Sequence, residues 1–363
     1  MVISRLWGFG FRNLGSFEFR PGGGVNILLG ENGQGKTNLL EAVWLFCGAK
    51  SFRAARESEM VEFGGSGFEI LLEFSGGGRE NTAGIKFAFG AGKSATLGGV
   101  KLGSVRELSD TFRAVVFSPE HLGLVKGGPR ERRQFLDVSL GQAYPKYAKV
   151  IEGYERILRH RSCLLADISR GRCSADMLDV WDEWLCGYGG YITWMRERYI
   201  TKLAGYAAKA YGNLSGGSEQ FCAVYLPGCG KLTGSGRSEI TKQLSGAILE
   251  SRKEDIRTGR TLIGPHRDDI EILLDLKAAR SFGSQGQQRS CVLALKLGEY
   301  KILEESIGHP PIVLLDDVLS ELDENRRQKL LSGMGDGQII ITSCEEITGT
   351  TNTFRVSRGI ISA

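Results

Sequence analysis

Hydrophobic and polar positions along this chain change their period twice. Over the first hundred or so residues, short apolar or alternating runs lie between glycine turns. Phe17-Glu18-Phe19-Arg20, Phe68 to Phe74, Gly84 to Phe89 and Ala114 to Phe117 read as strands, separated by turns such as Pro21-Gly22-Gly23-Gly24 and Gly76-Gly77-Gly78. Within this block Val25 to Leu29 predicts a short buried strand, and Asn38 to Phe46 carries apolar residues at helical spacing. From about Arg130 the period becomes helical. Tyr147, Val150, Ile151, Tyr154, Ile157 and Leu158 share one face, and Val180, Trp181, Trp184, Leu185, Tyr188, Tyr191, Ile192, Met195 and Tyr199 form a second stripe. Both are expected to pack helix on helix, and neither continues far enough for a rod-like coiled coil. From Thr261 the α/β alternation returns: a turn at Pro265 to Asp269, a strand at Ile270 to Leu274, a helix at Ser290 to Glu305, and strands at Ile312 to Leu315 and Gln338 to Thr342. Two α/β ends bracketing a helical middle predict one α/β domain split in sequence, 1–120 and 259–363, with a mainly helical arm inserted over 121–258.

The link between Val25–Leu29 and the first helix carries the strongest chemical signal. Gly30-Glu31-Asn32-Gly33-Gln34-Gly35-Lys36-Thr37 fits G-x-x-x-x-G-K-[ST] in full and is followed by Asn38. A strand, a glycine loop and a helix turn backbone N–H groups and a helix N-terminus toward a polyphosphate. Gly30, Gly33 and Gly35 permit close approach, Lys36 can reach the β- and γ-phosphates, and the Thr37 hydroxyl can ligate Mg²⁺. A nucleoside triphosphate is the expected ligand.

Ile312-Val313-Leu314-Leu315-Asp316-Asp317 is an apolar strand ending in two carboxylates. Asp316 is placed to support Mg²⁺ and Asp317 to polarise the attacking water. Further on, Asp323 is expected to cap a helix over Asn325 to Leu331. Two segments compete for a third element, the signature that offers a helix N-terminus to a γ-phosphate. Leu214-Ser215-Gly216-Gly217-Ser218-Glu219-Gln220 is nearer in letters to the L-S-G-G-Q of ABC ATPases, but it leads into an alternating, strand-like run at Phe221 to Tyr225. Ser284-Gln285-Gly286-Gln287-Gln288-Arg289 instead opens the long helix just before the acidic strand, and Ser284 to Gln287 is the preferred reading.

Composition narrows the class without choosing the function. The 363 residues are 41% hydrophobic and 24% charged, ordinary for a globular protein, and no apolar run reaches a membrane-spanning length. No basic start followed by an apolar stretch marks a secretory signal, so a cytoplasmic protein is expected. The eight cysteines form no C-x-x-C pair, so no structural zinc is indicated. A net charge of +4 permits a nucleic-acid partner, and any such contact must come from a local basic face. Candidates are Lys50, Arg53 and Arg56, then Arg130, Arg132 and Arg133, then Arg156, Arg159 and Arg161.

Together these motifs resemble the RecF family of bacterial DNA-repair ATPases, within the ABC-type ATPases that include the SMC and Rad50 proteins. The resemblance rests on Gly30 to Asn38 with Leu40-Glu41-Ala42, Phe117-Ser118-Pro119-Glu120, Leu124 to Gly127, Arg132 to Asp137, Gly264-Pro265-His266-Arg267-Asp268-Asp269, Ser284 to Arg289 and Leu314 to Asp323, in the family's order over essentially the whole chain. It implies an ABC-type ATPase head that sandwiches ATP and Mg²⁺ between two copies, with Lys36, Thr37 and Asp316 from one copy and Ser284 to Gln287 from the other. The closed homodimer would clamp duplex DNA near single-strand gaps and release it on hydrolysis. It implies RecR as a partner, with RecO and RecA in the same recombinational repair, replication-restart and SOS pathway. Asp316-Asp317, where most ABC ATPases carry Asp-Glu, implies slow hydrolysis. At the switch position, where transporters use His, this chain offers Thr342-Ser343 as a γ-phosphate sensor, and Arg12-Asn13 is expected near the nucleotide by analogy. The alternatives are a transporter ATPase subunit, which would want a glutamine loop and that switch histidine, and another SMC- or Rad50-like DNA-binding ATPase, which would want long heptads.

Overall fold

The computed structural model describes residues 1–53, 56–217, 219–346 and 352–362. Two compact units emerge, one formed by Met1–Leu122 with Val292–Ala363, the other by Gly123–Cys291.

The first unit is built on two six-stranded sheets. One runs in the order Ile360–Ser362, Asn352–Ser357, Val25–Leu29, Ile339–Ser343, Ile312–Asp316, Ala114–Phe117, and four of its five pairings are parallel, the terminal hairpin Asn352–Ser357 with Ile360–Ser362 being antiparallel. Its central strands are apolar on both faces, as a parallel sheet covered on both sides requires; Ile312 to Leu315 and Ala114 to Val116 are fully buried. The other sheet is an antiparallel meander in which Val2–Phe9 lies between Ser16–Phe19 and Gly67–Gly76, followed by Arg79–Ala88, Gly92–Leu97 and Val100–Lys101. Val2–Phe9 escaped the period-two reading because a register shift between Ile3 and Arg5 breaks its alternation. Gln338, 1% exposed, joins the two sheets by accepting from Ile3 N–H and donating to the carbonyls of Ile3 and Gly22. Every polar group of that side chain is satisfied, which is why it is tolerated in the core.

The second unit packs the helices Pro129–Ala143, Pro145–Ser169, Leu178–Ser215 and Arg237–Thr258 with a small antiparallel sheet, Phe221–Leu226, Asp269–Leu274 and Lys277–Ala278. The expected boundary at 258/259 is therefore displaced to 291/292. Asp269–Leu274 pairs with Phe221–Leu226 along its whole length, so the turn and strand after Thr261 belong with the helices. The helix Gln285–Ile307 gives its first turns to this unit and the rest to the first.

The second aromatic stripe divides between two faces. Leu185, Ile192 and Tyr199 are buried, whereas Val180 and Trp184 are exposed at 61% and 55%. Three of the candidate DNA-contacting arginines are occupied within the unit. Arg161, fully buried, pairs with Asp182 and Asp255 at 2.7 Å each and donates to Thr261 at 2.8 Å. Arg132 clasps Asp269 with two bonds of 2.6 and 2.9 Å. Arg133 donates to the Asp268 carbonyl at 2.8 Å. Lys50, Arg56, Arg130, Arg156 and Arg159 remain exposed.

Arg196 is the centre of this unit. It is 1% exposed and donates to Asp137 (2.6 Å), Asp268 (2.7 Å), the Tyr147 hydroxyl (3.0 Å) and the Pro265 carbonyl (2.6 Å). Asp268 also accepts from the Tyr225 hydroxyl and, at 2.7 Å, from Gly228 N–H. Burial pushes its pKa up, and Arg196 and these donors offset part of that shift. Beside it, His266 is bridged to Tyr154 at 2.7 Å and held neutral by burial, its pKa lowered to about 4. The Gly264 to Asp269 motif is thus the polar keystone of a helical unit. Arg196→Met should cost about 3–5 kcal/mol, because the fully buried Asp268 and the half-buried Asp137 lose their counter-charge. Urea unfolding followed by circular dichroism measures this, with the exposed Arg257→Met as a control that leaves the midpoint unchanged.

Candidate nucleotide site

The loop Gly30 to Gly35 leaves the carboxyl end of the strand Val25–Leu29 and enters the helix Lys36–Leu45. Its shape is one that only glycine supports at two points. Gly35, the N-cap, has φ +112, and a Cβ there would lie 2.9 Å from Asn13 Oδ1. A Cβ on Gly30 would fall 2.3 Å from the Val356 carbonyl oxygen. The helix has no acidic residue in its first turn, so the N–H groups there keep their attraction for an anion.

A cavity of about 480 Å³ opens over this loop, a size that suits a nucleotide. Residues Glu31 to Asn38 line it, with Arg12, Asn13, Arg53, Val61, Phe63, Asp317 and Thr342. Lys36 is 7% exposed, and its ammonium donates to the carbonyls of Gly30 and of Glu31 (2.9 Å) at the loop's mouth. Thr37 Oγ1 donates to Asp316 Oδ1 at 2.7 Å, across 279 positions of sequence. A hydroxyl and a carboxylate sharing one point beside a phosphate loop are the hard oxygen pair that suits Mg²⁺. Burial raises the pKa of Asp316; hydrogen bonds from Thr37 and Thr342 oppose that, and the nearby Glu120 carboxylate adds to it. An added cation would relieve both the burial and the repulsion.

Asp317 follows in the left-handed region at φ +52. Its N–H donates to Thr342 Oγ1 at 2.8 Å, and Ser320 Oγ donates to its carbonyl at 2.8 Å. Asp323 caps the next helix, Glu324–Ser332, by accepting from Arg326 N–H at 2.9 Å.

The expectation for Arg12 and Asn13 divides. Both line the cavity, but Arg12 is committed to a two-bond ion pair with the buried Glu41, at 2.8 and 2.9 Å. Asn13 braces the loop by donating to Gly33 O (3.1 Å) and accepting from Asn38 (2.7 Å). Arg53 donates to Asn38 Oδ1 at 2.8 Å. Two contributors were missed from sequence. Phe63 is wholly exposed on the cavity wall. The turn Arg358-Gly359 sits on the loop, its N–H groups donating to Gln34 Oε1 (2.6 Å) and Gln34 O (2.9 Å). A residue-Gly pair between alternating runs was the available signal for that hairpin.

In the other unit, Ser284 and Gln287 form a capping box at the start of Gln285–Ile307. Gln287 Oε1 accepts from Ser284 N–H at 2.6 Å, and Ser284 Oγ accepts from Gln287 N–H at 3.3 Å. Ser284, Gln285 and Gly286 are exposed. Ser215, in contrast, is the last residue of Leu178–Ser215, closed by Gly216 at φ +79. It is at a helix C-terminus rather than in a loop, and that end carries partial negative charge. Ser218 of the same segment lies outside the described residues.

Among the described residues no helix is long and apolar enough to cross a membrane. The family model for the RecF/RecN/SMC N terminal domain matches residues 2–358. A DNA replication and repair protein RecF from Heliobacterium modesticaldum is 38% identical over 367 residues, covering 97% of this chain and 96% of its own. A solved structure of the recombination mediator protein RecF with ATP, from the RecFOR pathway, superposes with a TM-score of 0.93 at 33% identity, covering 99% of this chain and 98% of its own. An Smc head bound to the C-winged helix domain of ScpA shares the fold at a TM-score of 0.55 and 17% identity, covering 99% and 97%. These likenesses favour a DNA-repair head over a transporter subunit, and the chain belongs to the RecF family of DNA replication and repair proteins, within the ABC-type ATPase heads of the SMC group.

Proposed function

We propose that this chain is a slow, DNA-stimulated ATPase whose homodimer closes over ATP and Mg²⁺ and clamps duplex DNA beside single-strand gaps. The observation that carries the reading is the Thr37–Asp316 hydrogen bond, which brings the two distant halves of a nucleotide site together beside the loop. Gly30 to Asn38 would cradle the phosphates, with Lys36 on the β- and γ-phosphates and Thr37 and Asp316 holding Mg²⁺. Bound there, Mg²⁺ supplies charge neutralisation for the phosphates. Asp317 would orient and deprotonate the attacking water. The apolar edge of the cavity at Val61 and Phe63 offers a face to the base.

Ser284 to Gln287 would complete the site from a second copy. The capping box supports this, because it fixes the helix N-terminus while leaving Ser284, Gln285 and Gly286 exposed. Exposed Lys50, Arg56, Arg130, Arg156 and Arg159 are the remaining candidates for DNA phosphates. The RecFOR pathway of the solved relative supports RecR as the partner, with RecO and RecA acting beside it, and the cytoplasm is the compartment that fits this reading.

Three variants test the reading. Lys36→Met should reduce ATP turnover to below about a hundredth of wild type and abolish ATP-dependent dimers and DNA retention in light scattering and gel-shift measurements; undiminished turnover would place the active site elsewhere. Asp317→Asn should slow turnover by about 10²–10⁴-fold with ATP affinity kept, giving a longer-lived dimer on DNA. Ser284→Arg should block dimerisation while the monomer still binds ATP, and Ser215→Arg should be mild; sedimentation with and without ATP separates them, and the opposite ranking would exchange their roles.

A further inference from the structure

We propose that Thr342 is a positioning residue for ATP hydrolysis, its hydroxyl holding the Asp316-Asp317 peptide so that both carboxylates serve the nucleotide cavity. The inference rests on the nucleotide reading above. It differs from the γ-phosphate contact expected at the switch position.

The parallel register sets Thr342 directly against Asp316 on one side and Leu28, just before the phosphate loop, on the other. Thr342 is 2% exposed, so its hydroxyl must find partners within the protein. It donates to Asp316 Oδ1 at 3.1 Å and accepts from Asp317 N–H at 2.8 Å. A threonine hydroxyl has a single proton to give. That proton is spent on Asp316, so a phosphate oxygen could take it only by releasing the carboxylate.

The second bond acts on the conformation of Asp317. A φ of +52 is rare for a residue with a Cβ, and such backbone persists only where surrounding contacts over-determine it. Here the contacts are two hydroxyls. Thr342 holds the N–H side of the residue, and Ser320 Oγ holds its carbonyl at 2.8 Å while lying 3.1 Å from its carboxylate Oδ1. The turn swings Asp317 out of line with the strand, and Asp317 lines the cavity. Thr37 and Thr342 both donate to the same oxygen of Asp316, so one carboxylate ties the phosphate loop, the acidic strand and the strand between them.

Thr342→Val removes the hydroxyl and keeps the branched shape, and Thr342→Ser keeps the hydroxyl and loses the methyl. With saturating ATP and Mg²⁺, Thr342→Val should lower kcat by about tenfold to a hundredfold while ATP Kd stays within about threefold of wild type. Thr342→Ser should recover most of the turnover. Wild-type kcat in Thr342→Val overturns the proposal. So does a loss of ATP affinity in step with turnover, which would make Thr342 a nucleotide contact, and so does a Ser variant as slow as Val, which would make packing the cause. Should Thr342→Val fail to fold by circular dichroism, Ser320→Ala tests the same hold from the other side. It should lower kcat with Kd unchanged, and an undiminished kcat there overturns the proposal. A wild-type protein that neither binds nor hydrolyses ATP overturns the nucleotide reading itself, which its own binding isotherm reports separately.

Discussion

Parallel pairing in the sheet of the first unit governs where every candidate catalytic group can be. Strands that run in one direction end at one edge, and that edge is where an open α/β sheet binds ligands. Val25–Leu29, Ile339–Ser343 and Ile312–Asp316 are neighbours in that order, so the phosphate loop, Thr342 and the acidic pair emerge side by side. A slip of one residue between Ile312–Asp316 and Ile339–Ser343 would turn Asp316 or Thr342 to the opposite face and break the Thr37–Asp316–Thr342 chain of hydrogen bonds. Ile312 to Leu315 and Ile339 to Ile341 are apolar and buried on both faces, so it is the polar ends of these strands, joined by those hydrogen bonds, that favour this register.

The second unit solves a different problem. It has to hold four helices and a small sheet together, and it does so with buried arginines as well as apolar contacts. Arg161 and Arg196 are almost inaccessible, and each is met by two carboxylates and further polar groups. Such pairs are costly to desolvate and more costly to break, which ties Asp137, Asp268 and Asp255 to their arginines as sets. The consequence for function is subtractive. Arg132, Arg133 and Arg161 are engaged with the protein's own acceptors, so a basic face for nucleic acid has to be assembled from other lysines and arginines.

Legibility from sequence followed the range of the interaction. The phosphate loop, the acidic strand and the Asp323 cap were readable because each is set by residues within a few positions of one another. The helical start at Ser284 was also readable, since a Ser followed three positions later by Gln is a local cap signal. The structure puts Ser284 at the N-terminus of one helix and Ser215 at the C-terminus of another, a difference that the letters of the two segments do not carry. Arg12 was less legible. Its neighbourhood pointed toward the nucleotide, but the carboxylate that takes its guanidinium, Glu41, is a full helix turn past the loop and entirely buried.

By itself, then, the sequence determined the kind of ligand, the alternation of α/β and helical segments, and the family, because glycine spacing, hydrophobic period and capping are short-range properties. Only the tertiary structure decided that Thr342 stands between Asp316 and the phosphate loop, that the turn at Arg358-Gly359 rests on Gln34, and that Asp268 of the Gly264 to Asp269 motif meets Arg196 from a distant helix. Each of these depends on strand order, register or a buried charge pair joining positions far apart in the chain. No local pattern encodes which distant group will be the partner, since that is settled by packing.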